Sequence, residues 1–279
     1  MANPIFTQSE TFSRRAPRGY APSQARGYAQ HPYQQYPGGP EQEVYGDATG
    51  RIPVETGELM TYDDVIAKTG LALFGVAASA FAAYQYLAMH YTPALMTGGL
   101  LISAIVGFLT VLIVAGRRKV SPVGVIVYSL VEGVFIGILT LMFESMYPGI
   151  ALQAVVGTFA AAGATLAAYK FFNIRVSDKF RKWVVIMTMA FAALMLVNLV
   201  LALVGLNTGM AGFGLMGLVI SLLGAGLAVF NLILDFDYVE RAVANQAPAS
   251  ESWRAALGIT VTMVWLYTEI LRILSYMRR

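Results

Sequence analysis

Seven long apolar runs, at 70–90, 95–116, 121–143, 150–171, 183–206, 212–236 and 255–276, limit what this chain can fold into more than any other feature. At about 1.5 Å of rise per residue, each is long enough to cross a hydrocarbon layer about 30 Å thick. Only 13% of the 279 residues are charged and 57% are hydrophobic, whereas soluble domains carry about 25% charge. The expected fold is all-α: a polytopic membrane bundle of about seven transmembrane helices over residues 61–279, preceded by a disordered N-terminal tail over residues 1–60.

The tail is rich in Tyr, Gln, Pro and Gly, as in Tyr33 to Pro40, and holds too few aliphatic residues to order itself. It lacks the basic start, apolar core and small-residue cleavage site of a signal peptide, so targeting falls to the first spanning helix. Thr61-Tyr-Asp-Asp64 reads as a cap opening a short lead-in to that helix.

Cations alternate between the breaks. Arg117, Arg118 and Lys119 lie in the second, Lys170, Arg175, Lys179, Arg181 and Lys182 around the fourth, and Arg241 and Arg254 in the sixth; the first, third and fifth have none. By the positive-inside rule the even breaks and the tail are cytoplasmic, in a multi-pass protein of the cell membrane. Seven full crossings put Arg278 and Arg279 outside, which the same rule disfavours and which points to incomplete crossing by helix 7 or a neighbour.

Several chemistries are excluded. Without cysteine there are no disulfides, thiolate nucleophiles or cysteine zinc sites. No HExxH, GxSxG or P-loop is present, and His31 and His90 lack metal-ligand spacing, so neither an enzyme nor a bound cofactor is expected. The net charge of +3 is small, and its cations sit beside apolar runs; the expected partner is the lipid bilayer, with other membrane proteins besides, and not nucleic acid. Gly212-x-Gly214-x-x-Gly217 matches a dinucleotide loop only as a string, since no strand precedes it, and small residues in an apolar run serve close helix packing.

Ionisable groups inside spanning segments are costly and usually face the interior or a water-filled path. Glu132, midway along helix 3, is either a protonated group in helix packing or part of an ion path, and its neighbours Gly133 and Gly137 would let another helix close over it. At the end of helix 6, Asp235 and Asp237 point about 200° apart, so only one can face a given partner, and the other reads as a solvated helix end. On helix 7, Glu269 and Arg272 at i, i+3 can pair with each other. If Glu269 approaches Asp237 instead, the two carboxylates share a proton and form a pH-sensitive latch.

Three segments, in order, resemble the Bax inhibitor-1 family: Arg117 to Lys119 with Ser121-Pro122 and Tyr128 to Gly137; Phe230 to Asp237; and Leu266-Tyr267-Thr268-Glu269 to Leu274 with Arg272 inside it. The resemblance implies a pH-sensitive calcium or cation leak channel gated by a carboxylate pair on helices 6 and 7. Asp237 and Glu269 match that pair and become the implied contacts for calcium as permeant ion, with Glu132, Asp235 and Arg272 in support. Glu269 stands where the family usually has Asp, and helix 2 lacks the acid that bacterial members carry. The other reading is a regulatory membrane protein that binds another membrane protein, such as a quality-control protease, through its tail.

Overall fold

The computed structural model describes residues 58–90, 92–172, 174–206 and 214–278. The tail to residue 57, Gly212 of the glycine string and Arg279 lie outside the described residues, and so does most of the expected disorder. The described chain forms seven helices: α1 (Tyr62–Met89), α2 (Pro93–Ala115), α3 (Pro122–Met146), α4 (Ile150–Phe171), α5 (Asp178–Leu203), α6 (Leu215–Ala244) and α7 (Glu251–Met277). All seven are long and apolar enough to cross a membrane. The bundle is the all-α one that the apolar runs predict.

Sequence dictates the ends locally. Thr61, Thr92, Ser121 and Ser177 each accept the N–H three residues on, capping α1, α2, α3 and α5. Several helices overrun their apolar runs, and around the sixth break α6 continues to Ala244 and α7 begins at Glu251. These polar turns stay helical because protein covers them, with Tyr238 and Ala242 in the core cluster at that end.

Packing inverts the logic of a soluble protein. The helix of highest mean hydropathy, α5 at 2.6, has only 11% of its span buried, while α7, lowest at 1.5, has 56% buried. Lipid takes the apolar faces and the bundle keeps the polar ones. Accordingly α7 runs down the middle against α1, α3, α4 and α6, whereas α2 leans on α3 and α5 on α6. The closest crossing joins α3 to α1: a Cβ at Gly133 would strike Ser79 Oγ and the Val76 carbonyl, and one at Gly137 the Ala80 carbonyl. Both glycines pack on α1, not over Glu132 as expected.

The ends of the bundle differ. At a first face, Arg254 of α7 is 0% exposed; it donates to Glu251 Oε2 (3.0 Å) and to the carbonyls of Arg117 (3.0 Å) and Arg118 (2.5 Å). Tyr238 of α6 donates to the same Glu251 oxygen at 2.7 Å. Arg254, counted from sequence among the cations of the sixth break, is a buried clasp between α7 and the α2–α3 turn. The first face also ties in the chain before α1: Met60 N–H donates to Ala247 O and Ala249 N–H to Glu58 O, both at 2.8 Å, and Met60 is 2% exposed. The folded part thus reaches back to Glu58, a few residues into the segment expected to bury nothing. At the second face, Arg278 donates to Pro148 O at 2.7 Å. α7 therefore runs the full height of the bundle, ending beside the α3–α4 turn, and the expected short crossing is not found.

Candidate functional site

Besides Glu251 in the first-face clasp, three buried acids lie on α6 and α7, two of them at the seam where these helices meet. Asp235 is 0%, Asp237 4% and Glu269 3% exposed. Although Asp235 and Asp237 point about 200° apart, both are buried, because α6 has α7 on one side and α4 and α5 on the other. Neither is the solvated helix end that the sequence left open.

Nearest the first face, Asp237 Oδ2 is 2.6 Å from Arg181 Nη2 of α5, and its carboxylate lies 3.0 Å from Arg241 Nε one turn along α6. Arg241 also donates to the Val176 carbonyl at 2.8 Å, and Tyr169 of α4 hydrogen-bonds Glu240. One carboxylate thereby fastens α6 to the α4–α5 turn. Asp235 faces the opposite way, where Thr262 Oγ1 of α7 reaches its Oδ2 at 2.6 Å. The same hydroxyl lies 3.0 Å from the Gly258 carbonyl.

Further along, Glu269 accepts from Arg272 Nη1 at 3.2 Å and from Trp265 Nε1 at 3.2 Å. It reaches α6 at Gly224, where a Cβ would lie 2.7 Å from Glu269 Oε1, so a glycine there is what admits the carboxylate. Phe191 of α5 lies over the Trp265 ring, 5.5 Å between centroids.

A family model described as Bax inhibitor 1 like matches residues 3–279. The chain belongs to that family. No curated protein matches it significantly. This Bax inhibitor 1-like protein is thus an integral membrane protein, of a family not known as enzymes.

The structure does not bring together the pair that the resemblance implies, Asp237 and Glu269. Glu269 meets α6 at Gly224, thirteen residues or about 20 Å along the helix from Asp237. The two carboxylates keep separate partners: guanidinium groups from α5 and α6 for Asp237, and Arg272 with Trp265 for Glu269. The α6 acid that faces α7 is Asp235, and its partner is a threonine. Glu132 stands apart on α3, its Oε2 2.6 Å from where a Cβ would sit on Gly107 of α2. Calcium takes six to eight oxygens, and among the described residues no three acidic or histidine groups cluster as a cage. Sequence reasoning missed Thr262, Tyr238 and the part Arg181 plays. A threonine in an apolar run gives no signal, and Arg181 is one of several cations at its turn.

Proposed function

We propose that this protein is a cation leak, with calcium as permeant ion, whose path follows the α6–α7 seam and is closed in the state described above. The observation that carries this reading is the pair of buried carboxylates on the α6–α7 contact, Asp235 facing α7 and Glu269 reaching α6 at Gly224, with buried Asp237 behind them on the α5 side of α6. Carboxylates in a hydrocarbon span are kept for ions or protons, and hard cations prefer oxygen ligands. The first face is cytoplasmic in this reading, since its turns hold the cations. An ion arriving there meets Arg181 and Arg241 before Asp237, so opening begins with the loss of those ion pairs.

The test is calcium flux through the full chain in liposomes. Asp235→Asn removes the central charge with little change of shape and lowers flux at unchanged melting temperature. Asp237→Asn weakens the ion pairs to Arg181 and Arg241 and raises basal flux. A wild type with no flux between about pH 5 and pH 8, the range a physiological switch uses, overturns the leak and leaves a regulator of another membrane protein as the better reading.

A further inference from the structure

Away from the acid seam, a cavity of about 650 Å³ lies between α1, α3, α4 and α7. Its rim is lipid-facing, with Phe81 on α1 and Leu152 and Phe159 on α4, all exposed. Its floor is hidden: Ile136 of α3 and Met263, Val264 and Tyr267 of α7 are buried. The crevice therefore opens sideways between α1 and α4, within the span, and its volume suits a ligand. We propose that it holds one acyl chain of a phospholipid from the leaflet at the second face.

Three observations select that occupant. The walls are apolar, and the floor hydroxyls of Thr140 and Tyr267 bond each other at 2.8 Å, so water gains little there, while an empty crevice forfeits dispersion contacts. The lining of α1 runs from Leu73 to Tyr84, about 16 Å of helix. That length and the apolar walls suit a single extended acyl chain.

The third observation is polarity along the crevice. Its polar groups gather at the second-face end, where Glu144 caps α4 by accepting from Gly149 N–H (2.5 Å) and Ala151 N–H (2.9 Å). With both carboxylate oxygens engaged there, the exposed cation at that end is Arg278, anchored on the carbonyls of Tyr147 and Pro148. Its remaining N–H groups suit a phosphate. Chain below and phosphate above is the polarity of a phospholipid. This inference is independent of the leak.

The test uses the full chain in phosphatidylcholine vesicles containing phosphatidylglycerol with a photoreactive diazirine on one acyl chain. After irradiation, labelled residues are mapped by mass spectrometry. Label is expected on Met263 and Tyr267 of the floor as well as on lipid-facing Phe108 and Ile113 of α2. Ala77→Trp, filling the crevice from α1, removes the floor label and leaves the α2 label; Val155→Trp does the same from α4 and stands in if the first variant does not fold. Arg278→Ala abolishes any preference for phosphatidylglycerol over phosphatidylethanolamine while floor labelling persists. An unlabelled floor beside a labelled α2, or floor label indifferent to both tryptophans, overturns the proposal. An unlabelled floor in a chain that runs as a dimer assigns the crevice to a second copy.

Discussion

Thr262 of α7 holds its hydroxyl 2.6 Å from Asp235 Oδ2 of α6, at a carboxylate with no solvent exposure. The α6 carboxylate that faces α7 is thus met by a threonine. Thr262→Val keeps the shape and removes the donor, and the expected cost is about 1–3 kcal/mol, seen as a lower melting temperature in detergent. Thr262→Ser, which keeps the hydroxyl, stays near wild type. If the Val and Ser variants melt together, the hydrogen bond contributes nothing to stability.

Gly224 is predicted to be intolerant of even one methyl group. Its Cβ would sit 2.7 Å from Glu269 Oε1 and 2.9 Å from the Phe191 ring, and such overpacking costs about 1–3 kcal/mol. Glu269→Ala clears the space, so Gly224→Ala with Glu269→Ala is less than additive. Gly226→Ala, with nothing within 4 Å, is the tolerated control. Additive melting shifts would mean that the two residues do not touch.

Arg254 is the largest fully buried side chain. Arg254→Met strands Glu251 and two turn carbonyls and is expected to cost about 3–5 kcal/mol. Adding Glu251→Gln recovers part of it. Arg254→Lys does not rescue, because an ammonium lacks the planar fork that serves three acceptors. Full rescue by lysine would reduce the clasp to a matter of charge.

Truncation separates the tail from the fold. A chain beginning at Glu58 keeps the backbone bonds to Ala247 and Ala249 and melts like the full chain. A chain beginning at Thr61 loses both, along with the buried Met60, and melts lower. Equal melting of the two truncated chains would show that residues 58–60 are not part of the folded unit.

Glu132 lies off the seam, so Glu132→Gln, which preserves shape, is expected to leave calcium flux unchanged and stability within about 1 kcal/mol. A clear fall in flux at unchanged melting temperature would put Glu132 on the ion path.

The span count, their order and the α1 cap were legible because lipid thickness sets a length that apolar runs must meet, and because Thr61 has the chemistry of a cap. The seam was only partly legible. The sequence correctly offered Glu269 with Arg272 as an i, i+3 pair, yet it could not choose between Asp235 and Asp237, since which side of α6 meets α7 depends on packing. At about 1.5 Å per residue, spacing already set Asp237 and Glu269 at different depths, against the pairing that the resemblance implied. Antiparallel helices that bring Asp235 to Thr262 and Gly224 to Glu269 separate Asp237 from Glu269. The burial of Arg254 was not legible, because an arginine between apolar runs looks the same in sequence whether it meets solvent or carbonyls.

The contrast between α5 and α7 bears on how the chain is made. With a mean hydropathy of 2.6, α5 can leave the translocon for lipid unaided. At 1.5 and bearing Glu269 and Arg272, α7 is a poor solo passenger, since an acidic or basic residue such as Asp, Lys or Arg at a helix centre costs about 2.5–3.5 kcal/mol on insertion. It is synthesised after α1, α3, α4 and α6, which form its seat. The ribosome thus delivers the helix most dependent on company only when that company is already in the membrane.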